Sequence, residues 1–434
     1  MLRHFKLASL FSAVLALLWL VSACDSSKAK VAASAATSTS SSSGTGTPPP
    51  PPFTVNTFQP AAVAIGQLDL VSGTYTPPSP TNLGGLYGDA TANGTVLYVP
   101  DYGNSRVLGF NTIPTASGAA ADFVLGQASF ATNGGGTSST AMSAPQTVQA
   151  DQGRLLVDEY GNSRILVYNT APTATGAAAD LAVGQPDLIS SGGACLATRL
   201  AFPESFRVAN GKLIVGDSGN NRVLIWNTVP TAFGTAPDVV LGQSTLTNCW
   251  ANDSTQTGTS GPPTARTLNY PTGVWTDGTR LVVTDSSNNR VLIWNTFPTA
   301  NFAAADLVLG QGDFAHITGN DDGQTGIPGA STARTLSYPY FLDSDGTGLF
   351  VTDSTNSRVL IWSTFPTANF APADKVLGQS DFAHSTSNDD NQDSAPDAAP
   401  SARTLAFPHG VRIIGNQLFV ADAYNLRVLI YQGQ

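Results

Sequence analysis

Charged side chains, methionine and cysteine are all scarce in this sequence. Only 12% of the residues are charged, and 30 acidic residues outnumber 20 lysines and arginines, which gives a formal net charge of −10. Because an acidic surface repels phosphate backbones and no run rich in lysine or arginine occurs, nucleic acid is not an expected partner. Helix-favouring lysine, glutamate and methionine are few, whereas threonine, valine, asparagine and glycine are plentiful. This balance favours turn-rich β structure over helices.

Motifs for several common chemistries are also missing from the sequence. The chain contains no G-x-S-x-G elbow, no P-loop, no CxxC pair and no CxxCH haem motif. A serine-hydrolase elbow, a nucleotide-phosphate loop, a thiol redox pair and a c-type haem therefore have no support here.

Residues 1–23 have the pattern of an export signal. A basic start precedes an apolar run from residue 7 to residue 21, and small residues then lead to Cys24. The run is shorter than the ~20 residues that a membrane-spanning helix needs. The sequence VSA-C resembles a bacterial lipobox, and that resemblance implies cleavage before Cys24 and lipidation of its side chain.

Residues 24–60 are predicted to form a disordered tether. They are mainly serine, threonine, alanine and glycine, and a run of prolines occupies residues 48–52. Such a composition buries no core and keeps the chain extended. We therefore expect a protein of the bacterial cell envelope, with its folded domain in the periplasm or at the cell surface and the lipid anchor as its one contact with a membrane.

From residue 61 onward one phrase recurs six times. An acid is followed three residues later by an asparagine and five residues later by an arginine. The acids are Asp101, Glu159, Asp217, Asp285, Asp353 and Asp422; the arginines are Arg106, Arg164, Arg222, Arg290, Arg358 and Arg427. Recurrence at a spacing of 58 to 69 residues predicts a repeat architecture.

Each copy of the repeat has the pattern of four short strands. The third strand, RVLIW in several copies, is apolar on both faces, as strands are in sheets that stack face to face. Radial stacking of such sheets predicts an all-β fold, a six-bladed β-propeller of four-stranded antiparallel blades over residues 61–434. The last copy stops after its third strand, and a matching fourth strand stands at residues 61–70. The N-terminal strand is therefore predicted to complete the C-terminal blade.

The repeat resembles the NHL family of propellers, whose blades carry the phrase G-x-L-x-V-x-D-x-x-N-x-R. Residues 407–431, FPHGVRIIGNQLFVADAYNLRVLIY, are most similar to it, although the copies here are longer than a typical NHL repeat. NHL propellers include binding modules as well as lyases and hydrolases. The resemblance thus implies the fold and leaves the activity open.

The recurring acid, asparagine and arginine are predicted to be structural. A catalytic group is needed once, whereas this trio occurs in all six copies. An acid at a strand end can accept turn amides, asparagine tolerates the left-handed conformation of a tight turn, and arginine can bridge a carboxylate and carbonyls.

Loop length distinguishes the copies and points to a binding face. The loops that lead into blades four, five and six, residues 244–269, 312–337 and 380–406, are about ten residues longer than those that lead into blades two and three. Up-and-down strand order places them on the same face as the acid–asparagine–arginine turns. Because binding residues concentrate on loops of a rigid scaffold, we expect this face to bind an envelope or extracellular protein, or a small ligand.

A ring of varied residues is predicted around the central channel. The residue after the proline that begins each first strand is Gln146, Glu204, Thr272, Tyr340 or His409. These are candidate ligand-binding residues, and Glu204 and His409 are candidates for acid–base catalysis. The alternative to a binding scaffold is thus a divalent-metal-dependent lyase or hydrolase at the channel mouth. A water-filled polar channel is the simplest interpretation of the ring.

Two long loops contain acidic runs with the spacing of a calcium loop. The candidate ligands are Asp321 and Asp322 in the first run and Asp389, Asn391 and Asp393 in the second. Both runs lack a glutamate at the twelfth place, so solvated acidic loops with Asx turns are the alternative to Ca²⁺ binding.

Cys195 and Cys249 remain once Cys24 is assigned to lipidation. They lie in the loops on either side of the third blade. An exported protein is folded where disulfides persist, and we therefore expect these two residues to form one.

Overall fold

The computed structural model describes residues 51–434, and it confirms the propeller prediction: six four-stranded antiparallel sheets. The first twelve strands are β1 Val63–Ile65, β2 Thr91–Asn93, β3 Val96–Asp101, β4 Arg106–Phe110, β5 Phe123–Leu125, β6 Pro145–Asp151, β7 Arg154–Glu159, β8 Arg164–Tyr168, β9 Leu181–Val183, β10 Ser205–Ala209, β11 Lys212–Asp217 and β12 Arg222–Trp226. The others are β13 Val239–Leu241, β14 Pro271–Thr276, β15 Leu281–Asp285, β16 Arg290–Trp294, β17 Leu307–Leu309, β18 Pro339–Asp343, β19 Leu349–Asp353, β20 Arg358–Trp362, β21 Lys375–Leu377, β22 Pro408–Ile414, β23 Gln417–Asp422 and β24 Arg427–Gln432.

Consecutive strands form each of the first five blades, β2–β5, β6–β9, β10–β13, β14–β17 and β18–β21. The sixth blade has the order β22-β23-β24-β1, and Val63 pairs with Ile430 while Ile65 pairs with Val428. The first strands of successive blades pack side by side around the centre, and β22 also packs against β2. The N-terminal strand therefore closes the ring, as predicted.

The core lies between the blades rather than within a single one. In β12, Leu224 and Trp226 pack in the cluster shared with the second blade, whereas Val223 and Ile225 pack in the cluster shared with the fourth. Every residue of this RVLIW strand is buried, which explains why it is apolar on both faces. Each such side chain contributes about 1.5–3 kcal/mol through burial.

A short helical turn joins the second strand to the third in every blade. Within residues 51–434 the helical segments are 3-10 turns at Tyr102–Asn104, Tyr160–Asn162, Ser218–Asn220, Ser286–Asn288, Ser354–Asn356 and Ala423–Asn425. We call the side of the ring that carries these turns the turn face. In the part of the chain that is described, no helix has the length and apolar character needed to cross a membrane.

The packed domain begins before residue 61, inside the predicted tether. Phe53 and Val55 are buried, and the Phe53 ring lies 5.7 Å from that of Phe350. The Phe53 amide donates to the Asp345 carboxylate at 2.8 Å, in the connection between β18 and β19 on the side opposite the turn face. Two apolar side chains after the prolines are enough to dock this segment. The predicted export signal, Cys24 and the tether up to residue 50 lie outside the described residues.

Cys195 and Cys249 are joined in a disulfide, with their Cα atoms 6.1 Å apart. Cys195 lies in the loop that leads into the third blade, and Cys249 lies in the loop that leaves it. The bond therefore connects the two loops that flank one blade.

Candidate functional site

In each turn the acid and the asparagine are buried, and the asparagine side chain donates a hydrogen bond to the acid. The fourth blade is representative. One oxygen of Asp285 accepts from Arg290 Nε at 2.7 Å and from Asn288 Nδ2 at 2.8 Å. The other oxygen accepts the backbone amide of Asn269 at 2.7 Å. Asn269 lies two residues before the proline that begins the blade, so the carboxylate fixes the segment that enters the channel wall.

The arginine of each trio joins the loops before and after its blade. Arg290 donates to the carbonyls of Thr264 and Thr267 in the preceding loop, at 3.0 and 2.9 Å, and to that of Phe314 in the following loop, at 2.6 Å. Both its side chain and that of Asp285 are 0% exposed. A fully buried, fully hydrogen-bonded ion pair of this kind is architecture rather than a substrate site.

The left-handed residue of the turn is not the asparagine, which corrects that part of the sequence prediction. The asparagine lies within the 3-10 turn because its side chain holds the carboxylate. The left-handed positions, with φ of 50° to 53°, are instead Ser105, Ser163, Asn221, Asn289, Ser357 and Leu426.

This left-handed residue in turn holds an aromatic residue of the next blade. Asn221 Oδ1 accepts the Tyr270 amide at 2.9 Å, and Asn289 Oδ1 accepts the Tyr338 amide at 2.7 Å. Both tyrosines precede a proline, where an extended backbone is normal, yet their φ values are 57° and 52°. A bulky residue held at positive φ costs about 1–3 kcal/mol and persists where the surroundings over-determine it.

Aromatic rings from all six blades meet on the turn face at the end of the channel. We call this set the aromatic mouth: Tyr87, Tyr102, Tyr160, Phe202, Tyr270, Tyr338, Phe407 and Tyr424. The ring centroids of Tyr102 lie 4.4 Å from Tyr87 and 6.3 Å from Tyr160, and Tyr160 lies 5.1 Å from Phe202. Six members are half-buried, while Phe202 and Tyr424 are exposed by 44% and 64%.

Four of the predicted channel residues form a buried floor beneath the mouth. Glu204 accepts the Tyr270 hydroxyl on one oxygen at 2.6 Å and the Tyr340 hydroxyl on the other at 2.7 Å. Tyr340 also stacks on His409, with centroids 4.1 Å apart and an interplanar angle of 11°. Gln146, Glu204, Tyr340 and His409 are 1–6% exposed. These four side chains are therefore buried and do not form an exposed rim of the channel.

The floor carries one acid close to neutrality and one neutral imidazole. Burial raises the pKa of Glu204 to about 6, although hydrogen bonds from Tyr270, Tyr340 and Gln146 oppose the rise. Burial lowers the pKa of His409 to about 3, so the ring is uncharged at neutral pH. Tyr340 connects these two residues, and they do not form a direct acid–base pair.

Thr272, the fifth predicted channel residue, does not belong to the floor. Its hydroxyl lies 2.9 Å from that of Thr284 and also donates to the Tyr340 carbonyl of the next blade. The side chain is 0% exposed. Thr272 therefore joins blades four and five and is not available to a ligand.

The acidic run in the loop 312–337 is organised by its own backbone. The Asp321 carboxylate accepts the amides of Thr325 at 3.0 Å and Gly326 at 2.6 Å. Asp322 pairs instead with Arg334 at 2.8 Å. These two carboxylates are thus occupied by different partners.

The run in the loop 380–406 has the same arrangement. Asp389 accepts the amides of Asp393 at 3.1 Å and Ser394 at 2.8 Å, and Asn391 Oδ1 accepts the Asp393 amide at 3.0 Å. Within residues 51–434 no three His, Cys, Asp or Glu side chains are grouped so as to hold a metal ion. The side chains at these positions form Asx turns, which were the alternative interpretation, and Ca²⁺ binding stays a prediction.

The three long loops lie on the turn face and border the mouth. Each contributes an asparagine that exchanges side-chain hydrogen bonds of 2.8–3.0 Å with the asparagine of a turn: Asn252 with Asn288, Asn320 with Asn356, and Asn388 with Asn425. Trp250 on the first of these loops is 55% exposed. The loops thus stand beside the mouth as a packed wall.

A cavity of about 450 Å³ opens in the mouth where the first and sixth blades meet. Its lining is Gly84, Gly85, Tyr87, Tyr102, Gly103, Ala423, Tyr424 and Leu426. Glycine is required at Gly103, since a Cβ there would lie 2.3 Å from the Gly84 carbonyl oxygen. The irregular first copy, GGLYGD, therefore supplies Gly84, Gly85 and Tyr87 to the lining of this cavity.

The aromatic mouth was missed at the level of sequence, although a signal for it exists. Aromatic–proline dipeptides begin the third to sixth copies, and tyrosine occurs beside the acid or asparagine in the turns DYGN, EYGN and DAYN. Such residues are easily assigned to the core. Their convergence on one opening depends on the positive φ before proline, which the pattern does not reveal.

No protein-family model matches the sequence, and no curated protein matches it. Among solved structures the chain is similar to virginiamycin B lyase from Staphylococcus aureus, with 10% identity over 81% of this chain and 96% of that one and a TM-score of 0.39. It is also similar to a streptogramin B lyase structure, with 10% identity over 84% of this chain and 97% of that one and a TM-score of 0.40. Similarity at this level carries no information about activity.

Proposed function

We propose that this protein is a ligand-binding propeller of the bacterial cell envelope whose binding site is the aromatic mouth. The observation that carries the proposal is the convergence of eight aromatic rings, at least one from every blade, on one partly open concavity. Concave aromatic surfaces of this kind are typical of binding sites, since ring faces give large contact area with little loss of conformational freedom.

The backbone holds four of the rings in fixed positions. Phe202, Tyr270, Tyr338 and Phe407 all precede proline at φ values of 48° to 57°, a conformation that Ala144 shares in the second blade. The conformation therefore belongs to the blade repeat, and where an aromatic residue adopts it the ring is positioned before a ligand arrives. The buried acid–asparagine–arginine trios support the turns, and Asn221 and Asn289 bind the backbone amides of Tyr270 and Tyr338.

The cellular location in this proposal rests on the sequence of the N-terminal segment. The resemblance to a lipobox predicts a lipid on Cys24, and the domain would then stand away from the membrane on its tether. Cys24→Ser in the full-length chain is expected to move the protein from the membrane fraction to the soluble envelope fraction. A protein still found with membranes would contradict lipid anchoring.

The site is tested by binding components of an envelope extract to the immobilised full-length protein. We compare the wild type with a Tyr102→Ala/Tyr424→Ala double variant and with Trp250→Ala, each checked for an unchanged melting temperature. Loss of the retained component in the double variant and its retention by Trp250→Ala would support the mouth. The opposite pattern would move the site to the long loops, and equal retention by all three would overturn the proposal.

The second candidate function is a divalent-metal-dependent lyase or hydrolase at the channel mouth. The observation in its favour is Glu204, whose pKa of about 6 lies in the range of a general acid or base. Against it, both Glu204 oxygens already accept tyrosine hydroxyls. A binding protein retains its function in His409→Ala, whereas an enzyme that uses this residue loses turnover of whatever component is retained.

A further inference from the structure

The charge and chemistry of the mouth point to a class of ligand. We propose that the cavity between blades one and six binds an organic cation, with a methylated ammonium group held against the faces of Tyr87, Tyr102 and Tyr424. This inference deepens the proposed function and rests on the mouth being the binding site. Aromatic cages with a nearby carboxylate are the usual means by which proteins recognise such groups.

The mouth lies above a negative charge and contains no positively charged side chain. Burial is the main cause that raises the pKa of Tyr102 to about 12, and the charges of Tyr160, Tyr87 and Glu204 add to it. Burial likewise raises the pKa of Tyr87, with Glu204 among the contributing charges. The mouth and floor residues named above include no lysine or arginine, and His409 is neutral. Glu204 therefore supplies a negative charge beneath the rings that no residue of the mouth or floor balances.

Two hydroxyls hold the Glu204 carboxylate in place beneath the mouth. The Tyr270 and Tyr340 hydroxyls both donate to this carboxylate. Neither tyrosine lines the cavity, so these bonds fix the position of the counter-charge and are not part of the cation site itself.

The lining of the cavity favours a cation over a neutral sugar. It consists of glycine, tyrosine, alanine and leucine, and it contributes no carboxylate, amide or guanidinium side chain. Sugars are normally oriented by several such groups. Ring faces over a remote negative charge suit a diffuse cation that donates no hydrogen bond. A volume of about 450 Å³ leaves room for a chain attached to the cation.

Other titratable groups around Glu204 do not reverse this charge. Asp158 lies within electrostatic range, and burial, followed by the charge of Glu204, raises its pKa well above the ordinary value. Asp158 is an acid like Glu204, so it does not offset the negative charge of Glu204. Arg207, three residues after Glu204, is paired with Asp343 at 2.6 Å. The field at the mouth should thus follow the ionisation of Glu204, whose pKa is about 6.

The test is calorimetric titration of the full-length protein with choline and with its neutral isostere 3,3-dimethyl-1-butanol. Choline should bind at least ~10-fold more tightly, in line with the strength of cation–π contacts. Tyr424 is 64% exposed, so its substitution leaves the fold intact. Tyr424→Leu should weaken choline binding several-fold, whereas Tyr424→Phe, which keeps the ring, should retain most of it.

The role of the Glu204 charge is tested by measuring choline affinity as a function of pH in the wild type and in Glu204→Gln. Choline affinity of the wild type should fall as pH decreases through about 6, because protonation removes the counter-charge. Affinity of Glu204→Gln should be lower at pH 8 and independent of pH. Equal affinity for choline and the isostere, or unchanged choline binding by Tyr424→Leu, would overturn the inference. A further outcome is that choline shows no binding while the Tyr102→Ala/Tyr424→Ala variant still loses the envelope component. In that outcome the mouth remains the binding site, and only the proposed ligand class is wrong.

Discussion

The buried acid–asparagine–arginine trios are the structural frame of this propeller, and some rings of the aromatic mouth come from neighbouring positions of the same turns. The frame positions are constant between blades, whereas the mouth positions vary. The acid, asparagine and arginine recur in all six blades and are buried in each. The residue directly after the acid varies instead. Ser286 and Ser354 donate to the proline carbonyl of the next blade at 2.5 and 2.6 Å, whereas Tyr102 and Tyr160 project into the mouth. The repeat therefore fixes the geometry, and departures from it supply the chemistry.

The largest expected effect separates a frame arginine from a surface arginine. Arg290→Met leaves the buried Asp285 without its partner and should lower the free energy of unfolding by about 3–5 kcal/mol. Arg334→Met breaks the exposed pair with Asp322 and should cost about 1 kcal/mol or less. Guanidinium denaturation of both variants measures the difference, and equal losses would mean that the trio is not the frame.

A middle-sized effect concerns the link between mouth and floor. Tyr270→Phe removes a hydrogen bond that lowers the pKa of Glu204, so this pKa should rise above about 6. The chain has two glutamates, Glu159 and Glu204, so carbon-13 glutamate labelling gives two resolvable NMR titrations. Tyr338→Phe, whose hydroxyl makes no bond to Glu204, is the matched control. A shift in the control alone would show that the mouth is arranged differently.

The same pKa has a consequence for stability. Its folded value of about 6 lies above the ordinary value of 4.5, so the folded state binds this proton more tightly than the unfolded chain. The contribution of Glu204 to stability is therefore fully present below pH 4.5 and is lost as pH rises through about 6. Glu204→Gln should remove this part of the pH dependence in thermal unfolding.

The smallest expected effect tests how the strained aromatics are held. Asn289→Ala removes the acceptor of the Tyr338 amide, a bond of 2.7 Å, and should cost about 1 kcal/mol. Ser105→Ala removes a 3.4 Å contact with the amide of Ala144, where the second blade has no aromatic ring, and should cost less than about 0.5 kcal/mol. A larger loss of thermal stability in Ser105→Ala than in Asn289→Ala would contradict the supporting role of Asn289.

What the sequence could predict follows from repetition. Six copies of one phrase specify the blade count, and the displaced strand at residues 61–70 specifies the closure with β24. The position of Glu204 at the entry to β10 is also readable from its place after Pro203. Its burial is not, because that depends on tyrosines of the fourth and fifth blades, 66 and 136 residues away in sequence.

The remaining differences have equally local causes. Phe53 and Val55 follow a run of prolines and have the composition of a tether, yet both are buried and the Phe53 amide is bound by Asp345. The acidic runs have the spacing of a calcium loop, but the amides of Thr325 and Gly326 reach the Asp321 carboxylate. Spacing shows which oxygens are near one another, and only the backbone path shows what already occupies them.

The docking of Phe53 fixes the N-terminal end of the described domain on the side of the ring opposite the turns. Its amide is bound at Asp345, in the connection between β18 and β19. A label or solid support attached at residue 51 would therefore leave the tyrosines of the mouth uncovered.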